Sequence, residues 1–162
     1  MRKLNGKEKL EAIGYFNDAV DIALNSGCLR SKCGSVIAKD GVIIGKGFNS
    51  PPNNIKLEKC VKDSLPKNFK SDRTCCIHAE QRAIIDALKN NYEKVKGSII
   101  YFIRLDKENN KEFAGDPYCT ICSKMALDIG IKEFVLWHKK GIIAYNTDEY
   151  NTLSFNHKTV EG

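Results

Sequence analysis

The chain has 162 residues, 42% hydrophobic and 28% charged, which is enough for one buried core and short for two, so a single soluble domain over residues 1–162 is expected. No apolar run approaches the ~18 residues that cross a bilayer, and charged residues follow Met1-Arg2-Lys3-Leu4 where a signal peptide needs an apolar stretch. These features argue against a membrane partner and for a cytoplasmic location; the net charge of +6 favours a phosphate-bearing partner only weakly, because lysine-rich composition also keeps proteins soluble.

From about Lys7 to Asn25, Leu10, Ile13, Phe16, Val20 and Leu24 recur at three- and four-residue steps, the stripe of an amphipathic helix, with Ser26-Gly27 as its stop. Cys33 to Ala38 and Val42 to Phe48 are apolar, β-branched runs joined through Asp40-Gly41, a strong hairpin turn. From Asn49 to Cys76 the chain carries three of its prolines and no sustained period, so an irregular loop is expected, of a length that is often functional.

A helix resumes at His78 with Ala83, Ile84, Ala87 and Leu88 on one face, followed by a strand over 97–105. Cys119 to Ile129 reads as a helix stopped by Gly130, and Glu133 to Trp137 and Ile142 to Tyr145 as the last two strands. The connection between those strands is too short for a helical crossover, so they should be antiparallel. The element order predicts an α/β fold: a mixed five-stranded sheet flanked by helices.

Seven cysteines, an odd number with one Cys-x-x-Cys spacing, fit metal ligation in a reducing compartment better than a disulfide framework. His78-Ala79-Glu80 stands at one predicted helix start and Cys119-Thr120-Ile121-Cys122 at another. Catalytic zinc takes three protein ligands and keeps a fourth position for water, whereas structural zinc closes with four. His78, Cys119 and Cys122 make such a three-ligand set, and helix N-termini stabilise thiolates. Glu80, two residues past His78, can reach the activated water and shuttle its proton without being a ligand. The competing assignment is a structural zinc site or buried thiols, in which Glu80 has no task.

His-x-Glu followed by Pro117 and Cys-x-x-Cys resembles the zinc-dependent cytidine and deoxycytidylate deaminases. The hairpin from Cys33 to Asn49 resembles that family's first hairpin, and the stretch from about 8 to 146 follows its order of elements. The resemblance implies a three-layer α/β/α fold and attack of hydroxide on the amine-bearing ring carbon with loss of ammonia. It further implies Zn²⁺ on His78, Cys119 and Cys122, Glu80 as proton shuttle, the Ala79 backbone N–H on the base and Asn49 on the ribose. Tyr118 departs from the pattern by separating Pro117 from Cys119, and is either pocket wall or an ordinary residue packed at the helix start.

The substrate implied is a cytosine-containing nucleoside or nucleotide, with transfer RNA or single-stranded nucleic acid less favoured, and a homo-oligomer is implied by resemblance alone. The insertion ending Asp72-Arg73-Thr74-Cys75-Cys76-Ile77 resembles deoxycytidylate deaminases, whereas an antiparallel final strand pair resembles the free-cytidine branch. Lys56, Lys59, Lys62, Lys67, Lys70 and Arg73 could meet a substrate phosphate or simply be solvated. Cys60, Cys75 and Cys76 could join Cys28 or Cys33 in a second metal site, although buried free thiols are the expectation. His138 and His157 are expected as surface or cap residues.

Overall fold

The structure, a computed structural model, describes residues 1–66 and 74–157. Its strands are β1 (Arg2–Lys3), β2 (Lys32–Lys39), β3 (Val42–Phe48), β4 (Ile99–Leu105), β5 (Lys111–Glu112), β6 (Glu133–His138) and β7 (Gly141–Asn146). The helices are α1 (Gly6–Ala23), α2 (Ala79–Asn90), α3 (Thr120–Asp128) and α4 (Thr147–Phe155). The five long strands are those expected from the sequence. The two-residue strands β1 and β5 extend that sheet and carry no periodic signal at such a length.

The sheet runs β1-β7-β6-β4-β2-β3, with β5 pairing the end of β4. Only the β4–β6 pair is parallel, and β6–β7 is antiparallel as the short connection requires. Asp40 and Gly41 both have positive φ, at 49° and 80°, the geometry of the tight turn that matches strand twist.

Side chains alternate across the sheet as a strand demands. Val36, Tyr101 and Val135 face α1, while Ile37, Ile100 and Phe134 face α2, α3 and α4, so one helix covers one face and three cover the other. This is the expected three-layer arrangement.

The buried face of α1 is turned from the one its leucines mark. Ala12, Phe16, Ala19 and Ala23 are fully buried, whereas Leu10 is 70% exposed and Leu24 46%. The reason lies in the strand beneath: a Cβ at Gly34 would stand 1.9 Å from the Ala19 carbonyl oxygen. Backbones this close leave room for alanine and not leucine, so close approach outranks side-chain hydrophobicity. The same device seats α2, whose Ala79 and Ala83 backbone lies directly over Gly47 of β3.

His138 is a second departure from expectation. It is buried, with Nδ1 3.1 Å from the Ala114 carbonyl oxygen and Nε2 2.9 Å from the Tyr145 hydroxyl. The ring fits as the Nδ1–H tautomer, donating to Ala114 and accepting from Tyr145. Burial holds its pKa below the ordinary histidine value.

Candidate metal centre and substrate cavity

Two helix N-termini converge on one point. The chain leaves β3 at Phe48, and Ser50 pairs with Ile77 through reciprocal backbone hydrogen bonds of 3.3 and 2.9 Å. That bridge places Asn49 beside His78, the N-cap of α2. The His78 N–H donates to Gln81 Oε1 at 2.9 Å, which fixes the entry into the helix. Cys119 caps α3, its sulfur accepting from the Cys122 N–H at 3.5 Å.

His78 Nδ1 lies 3.3 Å from both Cys119 Sγ and Cys122 Sγ. Ligand atoms of the three residues all fall within 4.8 Å of one another, the only such trio of His, Cys, Asp or Glu among the described residues. One nitrogen and two sulfurs at that spacing, with no fourth protein donor in the group, fit the open ligand set of a catalytic zinc.

The electrostatics suit a cation. The bond from Cys122 and then that from His78 hold the Cys119 thiol down at about 4, against its burial. Its bond to Cys119 and its burial push Cys122 well above the ordinary thiol value, so the pair shares one ready negative charge. The Cys119 bond raises the His78 pKa. Burial pushes the Glu80 carboxyl up to about 7, the Cys119 charge adding to the rise and His78 opposing it.

His78, Glu80 and Cys119 line a cavity of about 400 Å³, with Cys122 buried behind them, the size range of small-ligand sites. Ala79 also lines it, and as the first residue of α2 its N–H has no partner within the helix. Asn49 lines it as well, but its Oδ1 accepts from Cys33 N–H and Ser26 Oγ, each at 2.7 Å, and its Nδ2 donates to Ser31 O at 2.9 Å. Among the described residues one Nδ2 hydrogen has no partner and is open to a ligand. All six residues singled out in the sequence are therefore brought to one place.

The chain matches the family model described as "Cytidine and deoxycytidylate deaminase zinc-binding region" over residues 11–138. The chain belongs to this family. It is 26% identical over 144 residues to the deoxycytidylate deaminase of Schizosaccharomyces pombe, covering 84% of this chain and 38% of that protein. The deoxycytidylate deaminase of Saccharomyces cerevisiae is 25% identical over 127 residues, 75% of this chain and 36% of that one. The chain thus spans well under half the length of these curated relatives.

Among solved structures, the dCMP deaminase of cyanophage S-TIM5 in complex with dCMP and dUMP superposes with a TM-score of 0.54 at 25% identity, covering 81% of this chain and 82% of that one. The cytidine deaminase of Burkholderia pseudomallei has a TM-score of 0.55 at 15% identity, covering 91% and 96%, a likeness of fold alone.

Several cavity residues had no signal in the sequence reading. Tyr150 of α4 reaches the wall while stacked on Phe134 at 4.0 Å between ring centroids. That helix was missed, although Asp148 and Glu149 just inside Asn146 are a recognisable helix start. Arg30, ion-paired with Asp63 at 2.5 Å, and Arg104, paired with Glu112, also stand at the cavity, beside Lys62, which the sequence marks. Tyr118 is exposed to the cavity as wall, its ring 5.9 Å from that of His157, which lines the same opening. Lys56 and Lys59 are exposed, and Lys67, Lys70 and Arg73 lie outside the described residues. Among the described residues no helix is long and apolar enough to cross a membrane.

Proposed function

We propose that this chain is a zinc-dependent hydrolase that converts a cytosine-containing nucleoside or nucleotide to the uracil form with release of ammonia, deoxycytidylate being the preferred substrate. The observation that carries this is the buried Glu80 carboxyl, two residues past His78 and within hydrogen-bonding reach of Cys122, where the His78, Cys119 and Cys122 donors meet at a cavity of ligand size. A structural zinc site has no use for such a carboxylate.

His78, Cys119 and Cys122 would hold the ion. Zinc bound there supplies a water acidified enough to act as a nucleophile at neutral pH. Glu80, with a carboxyl near 7, can accept the proton of the attacking water, pass it to the ring nitrogen, and assist the amine as it leaves. A C–O bond forms and the C–N bond to the exocyclic amine breaks, so water enters and ammonia departs. In this reading the Ala79 N–H binds the base and the remaining Nδ2 hydrogen of Asn49 binds the sugar.

Preference for the nucleotide is supported by the two deoxycytidylate deaminase relatives and by the dCMP-bound phage enzyme. The arginines at the cavity supply charge for a phosphate, which must compete with Asp63 and Glu112. A free-nucleoside substrate is the second reading, favoured by the antiparallel β6–β7 pair. Ammonia release should be measured over cytidine, deoxycytidine, CMP, dCMP, adenine and guanine compounds, and transfer RNA. Turnover of dCMP above that of deoxycytidine supports the proposal. Preference for the nucleosides would move the assignment to the second reading, and no turnover of any compound would end the enzyme reading.

A further inference from the structure

Four of the remaining cysteines converge although they come from three separate segments. Cys28 precedes β2, Cys60 sits in the long loop, and Cys75 and Cys76 stand three and two residues ahead of His78. All are free thiols, and all four line the cavity described above. Cys75 Sγ and Cys76 Sγ are 3.9 Å apart. In extended backbone successive side chains point to opposite faces, but residues 74–76 form a bend that turns both sulfurs one way.

The series continues at each end. Cys28 lies within interaction reach of Cys76, and Cys60 of Cys75, although only the Cys75–Cys76 pair is in close contact. The four thus form a connected chain, Cys28 to Cys76 to Cys75 to Cys60, more open than the trio at His78. At a zinc–sulfur bond of about 2.3 Å, a tetrahedral site has sulfurs roughly 3.8 Å apart, which is the Cys75–Cys76 spacing. Closing the set requires the outer two sulfurs to draw in. Donors already surround it: the Val61 N–H bonds Cys75, and the Arg30 guanidinium bonds Cys60. Four thiolates on a divalent ion leave negative charge that such donors offset. Cys33 stays outside the set, its sulfur 3.9 Å from Ser31 Oγ.

The loop gives the site a task. Between Asn49 and His78 the described residues hold only two short 3₁₀ turns, Pro52–Asn54 and Val61–Ser64, and a long segment without regular structure gains most from a cross-link. We propose that Cys28, Cys60, Cys75 and Cys76 bind a second, structural zinc that clamps this loop against the segment leading into His78. All-sulfur ligation selects zinc among common divalent ions. The site is closed by protein ligands and takes no part in the chemistry at Glu80.

The test is metal analysis of the whole protein purified in the presence of zinc. Wild type should carry about two equivalents per chain, and Cys60→Ser and Cys28→Ser about one each. Cys119→Ala should also fall to about one, by losing the other ion. Cobalt exchange into wild type needs no variant to fold, and should give two tetrahedral sites with distinct thiolate charge-transfer bands. One equivalent in wild type that Cys119→Ala abolishes would overturn the proposal, as would a disulfide among the four cysteines or zinc content unchanged in Cys60→Ser. One equivalent that Cys119→Ala retains and Cys60→Ser loses would instead leave this site standing and remove the deaminase reading.

Discussion

The contact between Gly47 and the start of α2 offers a graded way to misplace the site without touching a functional group. A Cβ on Gly47 would stand 2.2 Å from the Ala79 carbonyl oxygen, 2.4 Å from the Ala83 nitrogen and 2.8 Å from Arg82 Cβ. The first two are backbone atoms and cannot swing aside. In Gly47→Ala the first turn of α2 must therefore recede by about 1 Å to reach ordinary contact, taking His78 and Glu80 with it. Overpacking of this kind costs about 1–3 kcal/mol, or roughly 3–10 °C in melting temperature at this chain length. A misplacement of about 1 Å can cost on the order of 10²-fold in rate. Gly45→Ala is the control: its Cβ would meet Ala83 O at 2.4 Å and Ala87 Cβ at 2.7 Å, further along the same helix. Both variants should melt early, and kcat for deamination should fall much further in Gly47→Ala. Equal kcat losses, or wild-type kcat in Gly47→Ala, would refute the claim that this contact sets the position of Glu80.

Glu80→Gln should lower turnover by about 10²–10⁴-fold while zinc content stays unchanged, because the carboxylate is assigned to proton transfer and not to ligation; loss of the ion would make it a ligand. Cys119→Ala should lose that ion and its activity together, since metal binding at such a site is coupled to folding. Burial depresses the pKa of His138 from 6.5, so its neutral form stabilises the fold above that value and the contribution is lost as pH falls through the folded-state pKa. Thermal melts from about pH 7.5 to about pH 5 should therefore lose more stability in wild type than in His138→Gln; parallel curves would show that the ring does not titrate with unfolding.

The hairpin, the two helix starts and the antiparallel end pair were legible because each rests on a local rule: Asp-Gly between β-branched runs, His and Cys-x-x-Cys at the first residues of a periodic stretch, and a connection too short to cross over. What was illegible depends on distance in three dimensions. Leu10 outranks Ala12 on any hydropathy scale, yet Gly34 brings α1 so close that alanine is the residue that fits. His138 looked like a strand-end surface residue because nothing nearby in sequence announces Ala114 or Tyr145 as its partners. For the cysteines over residues 28 to 76 the sequence raises a second metal site but, with no spacing rule to apply, cannot choose between Cys28 and Cys33 as the partner of the other three.

The direction of β7 decides what closes the cavity. Because it runs antiparallel to β6, it ends opposite Glu133, at the start of β6 and away from the metal donors. Thr147 is fastened there, its N–H to Lys132 O at 3.1 Å and its hydroxyl to Ile131 O at 2.6 Å. From that anchor α4 must run back along α3, held by Ser123 Oγ to Asn151 Oδ1 at 2.8 Å. Tyr150, in the first turn of that helix, reaches the cavity wall, and the full nine residues advance about 13 Å, which brings His157 to the opening beside Tyr118. A parallel β7 would have ended on the side of the metal donors, and its following helix would have led away from them. The short Lys139-Lys140 connection, by forbidding that crossover, thus brings Tyr150 and His157 to the same cavity as Glu80.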